Sequence, residues 1–588
     1  MKILSAVVAC VGLASQAAAW SHRHGVCVPS SHAPASWPGI ILILSAVVVA
    51  LAAVRARTEG ACVGADPALQ WLEARLSSGA AISCRGQPLQ QLNANRYWGE
   101  QFSKNASVVV FPATARDVSH AVQAARWSRA GGGDMAIVGG AHSQINASSS
   151  YGFVLDMSWM NSSRLIRHFT NPDAEAEEPF AAVEYQGGAT WGQVQAVTNG
   201  SGYAAVGARV ANVGAGGFTL GGGIGFLAGA YGFAADRLVQ AEVVLPSTGE
   251  VVLATKRNEY ADLFWALQGG SGQFGVVTRF WQRAVPEPRR STLGFYYVRD
   301  EDVARLRRQT VDFFRTNDDP FNVVYYSFGY LPQDLSDPTA RGGYARRTLL
   351  ITLHFEDEGN PHQRDAEAAF RDLLDGIDTS QSTVLSTGHY ANLALVGEAA
   401  YPYGHRRGFY GAQTSTIDEA YLANLTDTFW SYIDTLIARG EQPHSASMVM
   451  QYMFPGLNGH LPSSDSDTAW PHASVGHQTL ITPAYQHAEN DALTLSTVRA
   501  LNDITYAQQQ HRSIGVVGGG FLANYPNYMA PGDGGCRVWG HNVDRLIQVK
   551  EKYDPECLIR NGRVFASPGC LGGGWANVFS DCGELDVQ

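Results

Sequence analysis

The chain has 588 residues, 45% of them apolar and 16% charged, with a formal net charge of −11. That length allows two or more domains around a sizeable core, and the composition is globular rather than disordered. An acidic balance without a basic stripe argues against nucleic acid or an anionic membrane surface as partner.

From the N-terminus, Met1-Lys2, the apolar run Ile3–Ala14 and Ala17-Ala18-Ala19 read as a secretory signal cleaved after Ala19. A second apolar run, Gly39–Val54, covers about 16 residues, short of the roughly 20 a spanning helix needs. The hexapeptide Ile-Leu-Ser-Ala-Val-Val occurs in both, at 3–8 and 43–48. The second run reads as mis-spliced or duplicated signal sequence or as an anchor, other origins staying open, and a membrane enters only if it is an anchor. Five sequons, at Asn105, Asn146, Asn161, Asn199 and Asn424, fit a secreted chain. Beyond the leader the cysteines are Cys62, Cys84, Cys536, Cys557, Cys570 and Cys582, an even set without a Cys-x-x-Cys. Structural disulfides follow, with Cys62–Cys84 the favoured first pair.

Residues 62–102 read as helix, loop and the segment Tyr97–Phe102. Next, Phe111–Arg126 reads as strand end, turn and helix, with Thr114 as cap and Asp117 three residues on. The strand Met135–Val138 then runs into Val138-Gly-Gly-Ala-His142-Ser143, which sets one histidine behind a small-residue turn. About 70 residues later comes Gly214-Ala-Gly-Gly-Phe-Thr-Leu-Gly-Gly-Gly-Ile-Gly225. Each glycine costs roughly 1 kcal/mol in a helix or strand interior, so such a run marks backbone that must approach something closely, most often a phosphate. Two glycine loops bracketing one histidine suggest a dinucleotide held between them. Gly223-Ile-Gly225 fits a nicotinamide fingerprint only if strand and helix flank it, whereas glycines precede it and the hairpin Ala241–Leu253 follows. No phosphate loop of the NTPase type occurs.

From about residue 290 the texture changes. Helical periodicity covers 302–317, 362–376, 417–438 and 488–511, while 322–330 and 348–355 read as strands. Helices on one face of an antiparallel sheet give an α+β unit. His460, His472, His477 and His487 match no helix face or zinc signature, so no metal site is expected.

Several motifs in order carry a specific resemblance. They are the His142 turn, the Gly214 loop, Tyr231-Gly-Phe-Ala-Ala-Asp236, Asp262–Val277, Trp539-Gly-His-Asn542-Val-Asp-Arg-Leu546, Lys550 and Tyr553-Asp-Pro555. Together they resemble the berberine-bridge-enzyme-like branch of the vanillyl-alcohol-oxidase flavoproteins. The resemblance implies an α+β protein whose two-part, PCMH-type FAD-binding domain is interrupted by an antiparallel substrate sheet covered by helices. The implied boundaries are a leader over 1–57, an N-terminal cap over 58–102, the FAD-binding domain over 103–286, the substrate domain over 287–505 and the return to the flavin domain over 506–588.

The same resemblance implies the site. His142 would bond the 8α-methyl of FAD, with Val138, Gly139, Gly140, Ala141, Ser143, Gly214, Gly217, Gly221, Gly223, Val276 and Asn542 around the cofactor. Ala141 stands where the family has glycine. Members with two links carry a cysteine where this chain has Val210, so a single link is expected. Tyr525 matches the last tyrosine of a Tyr-x-Asn-Tyr strand that takes the substrate proton, with Leu522 in place of the first tyrosine, and His472 is a further cleft candidate. A phenol near pKa 10 needs a donor or cation beside it to act as a base. Lys550 is expected as a surface charge. The implied activity is a secreted oxidase that passes hydride from a substrate C–H to flavin N5, with O2 reoxidising the flavin to give hydrogen peroxide. The alternatives are a dehydrogenase with another acceptor, or a catalytically silent flavin- or carbohydrate-binding protein. The family spans carbohydrates, alkaloids, terpenoids and polyketide-like phenols, so substrate and oligomeric state stay open.

Overall fold

Short glycine-punctuated strands near the N-terminus build two small sheets. The computed structural model describes residues 63–562, apart from 130–131, 175–176, 334–342, 361, 363, 399–402, 511–521 and 532, and also residue 565. The leader, Gly39–Val54, Cys62, Cys570 and Cys582 lie outside the described residues. No helix among those described is long and apolar enough to cross a membrane.

The first sheet places Ala81–Cys84, Val108–Phe111, Phe153–Asp156 and Met135–Val138 side by side, the first pair antiparallel and the others parallel. The expected loop in 62–102 is partly the first of these strands, set between helices Pro67–Glu73 and Pro88–Ala94. Helix Ala115–Trp127 crosses over between parallel strands and starts at the expected Thr114–Asp117 capping box. Its Val118, Ala121, Val122 and Ala125 pack on the sheet's core. Asp117 also accepts from Ser77 N and Oγ, both at 2.7 Å, which ties the N-terminal segment to this helix.

The second sheet is antiparallel, in the order Ser163–Phe169, Phe180–Gln186, Val276–Arg283, Leu238–Val244 and Val251–Ala254. Its last two strands form the expected hairpin.

Beyond residue 290 a seven-stranded antiparallel sheet runs Ser382–Thr387, Arg290–Val298, Tyr344–Glu356, Asn322–Pro332, Ser447–Gln451, His477–Thr482 and Tyr410–Thr414. Only two of its strands are legible from alternation. Ser447–Gln451, His477–Thr482 and Tyr410–Thr414 are buried along their whole length, so neither face stays polar enough to mark a period. Helices Asp300–Thr316, Ala366–Leu374, Glu419–Ala438 and Asp491–Gln510 match the four helical stretches with ends shifted by a few residues. They cover one face. Phe328 meets Phe429 edge-on at 5.5 Å, and Tyr421 Oη reaches Thr479 Oγ1 at 2.8 Å. Strand alternation turns Tyr326 and Leu350 toward the helices, and sends Tyr325, Leu349 and Ile351 to the opposite face. That opposite face is the one that matters for function.

Candidate active site

Strand Met135–Val138 ends in the turn that carries His142, and Ala141 makes that turn with φ 58. A left-handed alanine costs about 1 kcal/mol, and two contacts hold it. Trp98 N donates to Ala141 O at 3.1 Å, and Arg96 binds both Gly139 O and the buried carboxylate of Asp156. The Trp98 ring stacks on the His142 imidazole, 5.2 Å and 16°.

The second glycine loop lies directly on the first. A Cβ added at Gly140 would sit 2.2 Å from Gly214 N, and one at Gly214 would sit 2.3 Å from Gly140 N. Gly216 meets Gly187 O in the same way, at 2.7 Å. These glycines let backbone touch backbone. Gly217 differs: nothing stands within 4 Å of an added Cβ, because it opens onto a cavity of about 430 Å³.

That one cavity is lined by both glycine loops, by Ile559 and Asn561 of the C-terminal segment, and by the seven-stranded sheet. Of the residues picked from sequence it gathers Gly139, Gly140, Ala141, His142, Ser143, Gly214, Gly217 and Tyr525, with Val210 beside them. The donor set suits a flavin cofactor. Neither ring nitrogen of His142 has a well-formed hydrogen bond, and burial pushes its pKa down to about 4, opposed by the nearby Asn212 and helped to a smaller extent by Arg96 and Arg407. A neutral imidazole with both nitrogens unengaged is ready to form a bond. FAD is the group that would end this orphaned state, with Gly217 leaving room for it.

Tyr525 holds a distinctive position. Its Oη accepts from Gly223 N at 3.1 Å, Ile224 N at 3.0 Å and Asn527 Nδ2 at 2.8 Å. No acceptor for its proton is present among the described residues. Burial pushes this phenol above the usual tyrosine range, against the pull of Asn527, Ile224 and the Arg209 guanidinium. The three donors favour a phenolate, but burial outweighs them, so the phenol stays protonated at ordinary pH. Taking up a proton requires one donor to turn away, and Asn527, being a side chain, is the one that can.

Six of the residues picked from sequence do not line the cavity. Val138 and Val276 point into the core on the far side of their strands, so their neighbours Ile137 and Val277 face the cavity instead. An extended strand turns alternate residues to opposite faces, and a motif match one residue off selects the wrong side. Gly221 packs on Asn527, whose Oδ1 would be 2.1 Å from an added Cβ, and Gly223 packs on Ala234 and Phe218. Asn542 spends its amide on the carbonyls of Asp465, Thr468 and Ala469. His472 is a buried tie, with Nδ1 on Trp470 O at 2.6 Å and Nε2 on Asp236 Oδ1 at 2.8 Å. Burial opposes its charge, but Asp236 and the Trp470 carbonyl outweigh it and raise its pKa. Both residues fix the loop that carries Trp470, whose ring lies 5.3 Å from that of Tyr525. The other three histidines have separate surroundings: His477 accepts from Met453 N, His487 meets Glu441, and His460 packs on Tyr231.

Lys550 is wholly buried rather than on the surface. Its Nζ donates to Gln273 O, Asp554 Oδ2 and Ile559 O at 2.6–2.7 Å, which pins two cavity-lining residues. Burial lowers its pKa, partly offset by Asp554. In Tyr553-Asp-Pro555, Tyr553 Oη reaches Asp262 at 2.7 Å, and Asp554 also accepts from Leu558 N and Ile559 N. That triplet is a fastener between the C-terminal return and the flavin-side core.

Sequence reasoning missed Asn527, Tyr528, Tyr325 and Arg209, all of which line the cavity. Arg209 donates from Nη1 to Tyr325 Oη at 3.2 Å and to Gln451 Oε1 at 2.6 Å, and from Nη2 to Tyr528 Oη. Burial opposes its charge, while the tyrosine oxygens hold its pKa above the usual arginine value. The available signal was a lone cation in the small-residue stretch Ala204–Ala211, one position before Val210.

Residues 106–255 match the FAD binding domain family, and residues 523–562 match the berberine and berberine like family. Chitooligosaccharide oxidase of Gibberella zeae is 26% identical over 55% of this chain, so the chain matches 62% of that protein's length. FAD-linked oxidoreductase pgmH of Aspergillus terreus is 33% identical over 39% of this chain and 43% of its own length. Among solved structures, wild-type BBE-like 1 of Physcomitrella patens superposes with a TM-score of 0.65 at 18% identity, covering 86% of this chain and 99% of that one, a likeness of fold.

Proposed function

Starting from a chain that belongs to the berberine-bridge-enzyme-like branch of the vanillyl-alcohol-oxidase family of FAD-linked oxidoreductases, we propose that it is a secreted oxidase acting on a C–H bond of a small molecule. FAD held there would supply the hydride acceptor and the redox route to O2, while the protein orients the reactants. The observation that carries this reading is the single cavity shared by the His142 turn, the open glycine face at Gly217, and Tyr525 with its three donors.

His142 holds the cofactor through one covalent bond, since its imidazole is neutral at ordinary pH and Val210 offers no sulfur for a second. Tyr525 receives the substrate's hydroxyl proton as the C–H bond breaks. To receive it Tyr525 must first lose its own proton, which Gly223 N, Ile224 N, Asn527 and the Arg209 charge favour against burial, while Trp470 packs on the ring.

Secretion is supported by the exposure of Asn105, Asn161, Asn199 and Asn424 among the sequon asparagines, and by the disulfide-bonded state of Cys84, Cys536 and Cys557.

The test is purification followed by acid precipitation and a peroxide assay over a panel of alcohols and sugars. Precipitate that stays yellow, with peroxide released from at least one substrate, is the expected result. Colourless precipitate would refute the covalent bond, and flavin reduction without peroxide would refute the oxidase. Cofactor released to acid by His142→Ala but not by wild type completes the assignment.

A further inference from the structure

We propose that the substrate is an otherwise apolar small molecule bearing one carboxylate, and that the carboxylate seats on Arg209 between Tyr325 and Tyr528. The proposal rests on the flavin oxidoreductase reading and names the class of molecule that site takes. Among the described lining residues Arg209 is the one charged side chain; no aspartate, glutamate or lysine faces the cavity. Its charge is met only by neutral groups: Gln451 Oε1 and two tyrosine oxygens, with the guanidinium 5.4 Å from the Tyr325 ring centroid. A desolvated cation with no carboxylate beside it favours an anion that enters the cavity.

The donor count points to the kind of anion. A guanidinium offers five N–H donors. Tyr325 and Gln451 use the two on Nη1, and Tyr528 uses one on Nη2. No hydrogen bond from a described residue engages the second Nη2 hydrogen or Nε–H. Two donors on neighbouring nitrogens suit the two oxygens of a carboxylate.

The rest of the wall argues against an oligosaccharide. The sheet side of the same cavity is lined by Leu293, Phe295, Ile351, Val449 and Leu480. A sugar ring would bury several hydroxyls against these side chains without partners, which is unfavourable for each. Ser327, Ser445 and Ser447 are the polar side chains on that wall besides Tyr325, and the Ser327 hydroxyl is already spent on Met448 O. A hydrocarbon body with a single acidic head matches the surface.

The experiment uses the flavin-loaded protein and reads ligand binding from perturbation of the flavin absorbance, with no turnover required. The probes are trans-cinnamate, its neutral amide and cellobiose. Cinnamate should bind at least about tenfold more tightly than cinnamamide, and cellobiose should not compete with it. Arg209→Gln should weaken cinnamate about ten- to hundredfold and change the amide by less than about threefold. Should that variant fail to fold, the wild-type acid-to-amide ratio decides the matter alone. Equal affinities, or preference for cellobiose, overturn the proposal. Equal affinities together with a changed sulfite affinity in Arg209→Gln would assign the guanidinium to the flavin itself, which also overturns it. Peroxide release is scored separately, so failure of the oxidase reading leaves this result interpretable.

Discussion

The two walls of the cavity are assembled by different physics. On the glycine wall, Gly140 meets Gly214 and Gly187 meets Gly216 with backbone against backbone, and a single added carbon has no room at these contacts. On the sheet wall, strands Arg290–Val298, Asn322–Pro332, Tyr344–Glu356 and Ser447–Gln451 present alternate side chains, and what faces the cavity depends on register. The first wall is intolerant of change in any residue that closes it; the second can be retailored one side chain at a time. A family can thus keep one cofactor while changing substrates, because rigidity and choice reside on opposite sides of the same space.

The largest expected effect is at the glycine contact. Gly140→Ala should cost about 3 kcal/mol or more or prevent folding, seen as a collapsed melting temperature. Gly217→Ala should leave melting unchanged and weaken flavin loading, since its Cβ meets only the cavity. Equal behaviour of the two variants would erase the distinction between closing and cradling glycines.

Next comes Tyr525→Phe, which keeps the ring and removes the oxygen that three donors surround. Loss of a general base costs about a hundred- to ten-thousandfold in rate, or roughly 3–5 kcal/mol of barrier. Anaerobic flavin bleaching by substrate should slow by that factor while flavin content stays the same. Bleaching at the wild-type rate would move the base to another cavity residue, Tyr528 being the neighbour, since His472 faces away.

Two buried histidines outside the cavity should give opposite pH responses. His477, on the sheet, is pushed down to about 4 by burial. The unfolded chain takes up this proton near pH 6.5 and the folded chain only near 4, so stability falls as pH drops through that window, by about 3 kcal/mol. His472 is shifted the other way by Asp236. Its contribution is complete below about 6.5 and disappears as pH rises through its raised folded value. Denaturant melts from pH 4 to 9 should show His477→Gln flattening the acid limb and His472→Gln flattening the alkaline one; the reverse pattern would contradict both assignments.

The smallest effect is expected for Val449→Ala on the sheet wall. Removing two methyl groups from the cavity should raise KM by up to about tenfold, or about 1.4 kcal/mol, with flavin content and kcat little changed. A loss of flavin instead would show that the sheet wall also holds the cofactor.

What the amino-acid sequence determined by itself is local. A histidine behind a small-residue turn, the Thr114–Asp117 capping box and the long helices depend on residues within a turn or two of each other, and those interactions survive in any tertiary context. The order of motifs was also enough to identify a flavin fold. The tertiary structure decided everything that depends on distant partners. Gly140 and Gly214 close on each other across 74 residues; Lys550 is drawn inward by carbonyls at 273 and 559; Arg209 acquires Tyr325, Gln451 and Tyr528 from three other segments. Whether Val276 or Val277 faces the cavity is likewise set by the register of its strand against both neighbours. Local propensity acts through covalent neighbours, whereas burial, register and charge compensation act through space, and a linear sequence encodes those only once the chain has closed.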